Sequence, residues 1–186
     1  MYHILDLHQI CETQEEPGVF NKIEKFMVKF LPIESDKKEQ LLGELERLTG
    51  PLPDSYRNFL SYFGDNIMFD YIMSFKGIEP SPWADDKGFD DLDYFYGLSS
   101  SSGGYTIFEA INTYKYDFNM KLIPIAASAG GNQVCVCLEG KRKGEVWFWD
   151  HETDPVFNED ENVSGLTLIA YDLEDFIDRL VVEDDN

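Results

Sequence analysis

The residues best suited to chemistry close an aromatic run, Val146-Trp147-Phe148-Trp149-Asp150-His151-Glu152. An imidazole flanked by carboxylates could act as a general base or a metal ligand. Either role needs company: a serine nucleophile motif, a second histidine at ligand spacing or a phosphate loop. The sequence supplies none, and His3 and His8 lie far off in an unpatterned stretch. The plainer reading is a strand terminus where Asp150 and His151 hydrogen-bond neighbouring backbone. Cys135 and Cys137 form a lone C-x-C, a weak metal signal without a second pair. Two apart on one strand, they point the same way, an awkward geometry for a disulfide. With Cys11 they make an odd set, which fits reduced thiols used as small core residues. Gly130-Gly131-Asn132 could cradle a phosphate, but no helix follows and the surroundings are acidic, so a turn is expected. Trp147 and Trp149 share one strand face and could stack a ligand, yet they suit core packing. The sequence therefore predicts no catalytic residue, no metal site and no cofactor.

Binding is the better prospect. Asp plus Glu number 36 against 15 Lys plus Arg, a formal net charge of -21. Nucleic acid and anionic membrane would be repelled, and a basic protein attracted and steered. Solubility alone would also account for such a charge. The segment from Trp83 to Tyr96 mixes acids with rings. Asp85, Asp86, Asp90, Asp91 and Asp93 offer anionic contacts, while Trp83, Phe89, Tyr94 and Tyr96 offer anchors. A solvated loop with tucked-in aromatics is the bland alternative. The acidic loop after His151, with Glu152, Asp154, Asp160 and Glu161, is a second candidate.

The elements that must position these residues follow from pattern. In a chain of 186 residues one domain is expected over 20–182, with an N-terminal extension over 1–19 and an acidic tail over 183–186. Phe20, Ile23, Phe26, Met27, Phe30 and Leu31 recur at helical spacing until Pro32. Ser35 is placed to cap a helix carrying Leu41, Leu42, Leu45 and Leu48, ended by Gly50-Pro51. Tyr56, Phe59, Leu60 and Phe63 give the clearest helix, stopped at Gly64. A strand is predicted over Ile67–Phe75 and an irregular polar stretch over 76–104, with a flexible Ser99–Gly104 run. Thr106 and Glu109 match a capping box before Ile107, Ala110, Ile111 and Tyr114.

Leu122–Ala126 reads as a strand interrupted by Pro124, which points to a sheet edge or a strand start. Gln133–Leu138 has two apolar faces and suits a central strand. The glycine-bounded Gly140–Gly144 turn then makes a hairpin with Val146–Trp149. Leu166–Ala170 is a last strand and Asp172–Val182 a closing helix. Helices first, strands in the middle and a helix last predict an α+β fold with a mainly antiparallel sheet flanked by helices. No apolar run reaches the roughly 20 residues of a membrane span. The N-terminus shows no signal peptide, and a cytoplasmic protein is expected.

Three pieces of this pattern resemble the SUKH superfamily, which includes bacterial immunity proteins and a fungal regulator of cell-wall glucan synthesis. Leu52-Pro53-Asp54-Ser55-Tyr56-Arg57-Asn58-Phe59-Leu60 is similar to its L-P-x-x-Y-x-x-F-L helix. The following Phe63-Gly64-Asp65-Asn66 departs from the usual N-G-G turn. Ile123-Pro124-Ile125-Ala126 with Gly130-Gly131-Asn132 is similar to I-P-I-A-x-x-x-G-G-N, and Gly144 to Glu152 to a G-x-V-y-f-W-D-H-E strand end. The resemblance spans roughly 20–182. It implies a non-catalytic cytoplasmic binding protein, of the kind that neutralises a cognate polymorphic toxin, commonly a nuclease. A general interaction or cell-wall-regulatory module is the alternative, and a hydrolase centred on His151 the more distant one.

Overall fold

A strand whose two faces are both apolar has to be covered on both, and that requirement sets the architecture around Gln133–Cys137. The computed structural model describes residues 18–28, 32–118, 121–157 and 163–182. Its helices are α1 (Asn21–Glu24), α2 (Ser35–Thr49), α3 (Asp54–Phe63), α4 (Ile107–Tyr114) and α5 (Leu173–Arg179). Its strands are β1 (Ile67–Lys76), β2 (Phe89–Phe95), β3 (Leu122–Ser128), β4 (Gln133–Cys137), β5 (Val146–Trp149), β6 (Val156–Phe157), β7 (Val163–Ser164), β8 (Leu166–Ala170) and β9 (Leu180–Val182). Seven strands form one sheet in the order β8-β5-β4-β3-β2-β1-β9, every pair antiparallel. The α+β fold expected from the sequence is the fold found. The sheet curls: beyond β1, the Ile78 and Glu79 amides donate to the Ile169 and Leu168 carbonyls of β8.

Val134, Val136 and Leu138 face the main core, where α2, α3, α4 and α5 deliver Leu45, Phe59, Ile111 and Phe176. Cys135, Cys137, Trp147 and Trp149 face a second cluster, closed by Phe118 and Phe157. The tryptophans are thus packing residues, and Cys135 and Cys137 are buried free thiols. Cys11 lies outside the described residues.

Several expectations change. The helix predicted over Phe20–Leu31 is one turn; the chain then extends, and Met27 makes an antiparallel bridge to Phe69. Phe30 and Leu31 lie outside the described residues. Ser35 is the first residue of α2, with Glu34 at the cap position and no side-chain cap bond. Leu48 is exposed. Pro124 is in β3, in the middle of the sheet and not at its edge. The register shifts between Pro124 and Ala126, and that bulge absorbs the missing amide. The stretch 76–104 contains β2, an inner strand. The closing helix stops at Arg179, and Leu180–Val182 becomes β9 against β1.

The Ser99–Gly104 run is pinned. The Asp65 carboxylate accepts from the Ser101 amide at 3.0 Å and from the Ser99 and Ser101 hydroxyls. The buried Asn66 side chain donates to the Gly103 and Tyr105 carbonyls at 3.1 and 2.9 Å and accepts from the Gly97 amide at 2.6 Å. Gly97 lies so close that an added Cβ would sit 2.1 Å from the Asp65 carbonyl carbon. The capping box is as read: the Glu109 amide donates to Thr106 Oγ1, and the Thr106 amide to Glu109 Oε2.

Candidate partner-binding face

The antiparallel register of β4 on β5 puts Gln133 opposite Trp149, so the turn before one and the turn after the other share an end of the sheet. Gly130 and Gly131 hold φ of 73° and 93°, which lets the chain reverse with almost no side-chain bulk. Buried Asn132 then faces His151: its Oδ1 accepts the His151 backbone amide at 3.2 Å and lies 3.0 Å from Nδ1. With a proton on Nδ1 the contact is a hydrogen bond donated to that amide oxygen. Asp150 Oδ1 accepts the Glu152 amide at 3.0 Å. The imidazole is therefore held as part of a turn. Among the described residues no group of His, Cys, Asp and Glu side chains is arranged to hold a metal ion.

The acidic aromatic segment arrives at the same end. The Asp85–Gly88 turn closes through the Asp85 amide on the Phe89 carbonyl and the Gly88 amide on the Asp85 carbonyl. Asp85 Oδ1 accepts the Lys87 and Phe89 amides, both at 2.8 Å, and the Phe89 bond leads in holding its carboxyl below the usual range. Ser81 fixes the loop from below: its hydroxyl donates to Asp90 Oδ1 at 2.6 Å and accepts the Trp83 amide at 3.0 Å. Trp83 is left 48% exposed beside Gly130, where a Cβ would lie 3.7 Å from its ring. Between these pieces opens a depression of about 200 Å³, lined by Trp83, Asp85, Phe89, Asp90, Asp91, Ser128, Ala129 and Asn132.

The candidate residues thus divide. Trp83, Asp85, Asp90 and Asp91 meet around the depression, and Asp86 is exposed on the adjoining turn. Asp93 is exposed at a β2 bulge, its carboxyl raised by partial burial and then by Asp91. Tyr94 is half-buried against Tyr96, and its hydroxyl accepts the Tyr105 amide. Tyr96 is only 2% exposed and donates to Gln133 Oε1 at 2.6 Å, so its ring presents nothing to a docking protein. Asp90 is 4% exposed; burial raises its carboxyl, Ser81 opposes that, and the Asp91 and Asp85 charges add to it. Glu152 and Asp154 are exposed, while Asp160 and Glu161 lie outside the described residues. Ser81 and Ser128 carry no site signal in the sequence, and Asn132 reads there as part of a turn. The Asp85-Asp86-Lys87-Gly88 turn signature was the available clue that a strand begins at Phe89.

Comparison with known proteins gives two findings. A family model described as the SMI1 / KNR4 family (SUKH-1) matches residues 37–179. The SPbeta prophage-derived uncharacterized protein YokK of Bacillus subtilis (strain 168) is 33% identical over 173 residues, covering 87% of this chain and 84% of that protein.

Proposed function

This chain belongs to the SMI1/KNR4 family (SUKH-1), and on that premise we propose that it is a non-catalytic binding protein of the cytoplasm, an immunity protein that neutralises a cognate basic toxin. The observation that carries the reading is the half-exposed Trp83 set among Asp85, Asp86 and Asp91 at one end of a braced sheet. An aromatic anchor inside a ring of like charge suits a basic protein surface: the charge steers the encounter and the ring contributes once water is excluded. Neutralisation is stoichiometric occlusion, with the carboxylates covering cationic groups that the toxin uses on its own substrate. Nuclease toxins, whose substrate is a polyanion, present such groups. His151, engaged by Asn132, acts as a structural residue in this account.

The test is copurification with the toxin domain encoded beside this chain. A complex of fixed stoichiometry is expected, weakening as salt rises and weakening further when Asp91 and Asp93 are both changed to Asn. His151→Ala is expected to keep neutralising activity. Binding indifferent to salt and to the acidic substitutions would remove the electrostatic mechanism. A neighbouring frame that encodes no toxin would favour an interaction module outside any toxin system.

A further inference from the structure

We infer that the depression beside Trp83 is a receptor for one arginine side chain of a protein partner, with the buried Asp90 carboxylate as its floor. The inference rests on the binding-protein reading above and names the group that the face would recognise.

Asp90 is nine-tenths buried, lines the depression, and spends only one oxygen. Oδ1 accepts the Ser81 hydroxyl; Oδ2 is buried with no hydrogen-bond partner among the described residues. A buried carboxylate oxygen left unpaired is costly, and such atoms call for an explanation. A cationic donor entering from the depression supplies one. Asp85 and Asp91 line the same space, and Asp85 is held ionised by its turn amides, so the entrance is anionic.

The choice of arginine over lysine follows from shape. Trp83 and Phe89 line the depression as rings, and a planar guanidinium stacks on rings while its fork of donors reaches more than one oxygen. Asn132 and Ser128 add neutral polar atoms to the wall. Lys76 and Lys87 sit outside this lining: Lys76 Nζ lies 5.7 Å from the Phe89 ring centroid, and Lys87 is exposed on the turn.

The experiment uses methylguanidinium as probe, followed on the isotope-labelled full chain by amide NMR at constant ionic strength. Methylammonium is the control for charge alone. Saturable shifts are expected at Asp85, Phe89–Asp91 and Ala129–Asn132, stronger for methylguanidinium than for methylammonium. Asp90→Asn should weaken the response at least ten-fold while keeping a folded spectrum. Glu174→Gln, exposed on α5 and outside the depression's lining, should leave it within about two-fold. Shifts that never saturate, that spread over the whole acidic surface, or that persist in Asp90→Asn would overturn the pocket. The two readings fail separately. A toxin neutralised equally well by Asp90→Asn keeps the immunity role and removes the pocket. Guanidinium binding without any toxin neutralised keeps the pocket and removes the immunity role.

Discussion

Replacing Asn66 by Ala probes the joint that holds the inner end of β2 against α3 and the serine-rich loop. The amide group makes three bonds to backbone, to the Gly97 amide and the Gly103 and Tyr105 carbonyls. Gly103 and Tyr105 are exposed, so water can satisfy their carbonyls after the substitution at a net loss of about 1 kcal/mol or less each. Gly97 is buried, and its amide would be stranded at a cost of about 1–3 kcal/mol. The sum is about 3 kcal/mol. For a domain of this size that lowers Tm by roughly 6–12 °C. Thermal unfolding by circular dichroism, paired with urea titration at fixed temperature, reads the loss directly. Hydrogen exchange should accelerate first at Ser101, whose amide Asp65 holds, and at Tyr105. A loss under about 1 kcal/mol, with exchange unchanged in the loop, would refute the claim that this side chain braces the segment.

Four further outcomes follow from the same structure. Gly97→Ala should yield insoluble or strongly destabilised protein in a solubility assay, because its Cβ would meet Asp65 backbone at 2.1 Å. Thr106→Ala should cost about 1 kcal/mol in urea unfolding, since its hydroxyl accepts the Glu109 amide at the helix start. Asp90→Asn should shift urea unfolding at neutral pH by about 1 kcal/mol or less, because it removes a buried charge but leaves an amide N–H2 in the same unpartnered place. Burial raises the Asp90 carboxyl, with Asp91 and Asp85 adding to it and Ser81 opposing. The folded form therefore binds the proton more tightly than the unfolded one, and the parent loses stability as pH climbs from the ordinary Asp value through the raised one. Relative to the parent, the variant should lose ground as pH is lowered back through that window. Cys135 and Cys137 should resist a thiol reagent in the native state and react on unfolding, since burial raises both thiols.

Local signals carried much of the fold because they have local causes. The α3 stripe, the Thr106 cap and the Gly140–Gly144 hairpin each depend on neighbours within a few residues, and each is found where the spacing puts it. β2 was hidden because aspartates at 90, 91 and 93 are poor strand formers; the sheet overrides them through pairing on both sides with β1 and β3. The helical periodicity from Phe20 to Leu31 lost to a bridge between Met27 and Phe69, which no short window can reveal. In β9, Val181-Val182 was a β-branched hint, but Leu180 fitted the helical stripe and drew the boundary too far. The acids of the candidate face were legible as a cluster. Their meeting with Asn132 was not, since it arises from the register between distant strands. Tyr96 could not be sorted from Trp83 by composition, because only tertiary packing buries one ring and leaves the other outside.

The curl of the sheet also sets an order of events in time. β1 is bonded on one side to β9, and just beyond its end the chain reaches β8 through Ile78 and Glu79. One seam of this early strand, and the stretch just after it, are thus filled by segments translated more than eighty positions later. A growing polypeptide can wind α3 and close the β4–β5 hairpin as they emerge, but it carries an open, unzipped flank until Leu180–Val182 has been made. Maturation is therefore a late, long-range step, which slows folding and exposes the nascent chain to self-association. Loss of only the last strand should harm yield in the cell more than its three residues would suggest.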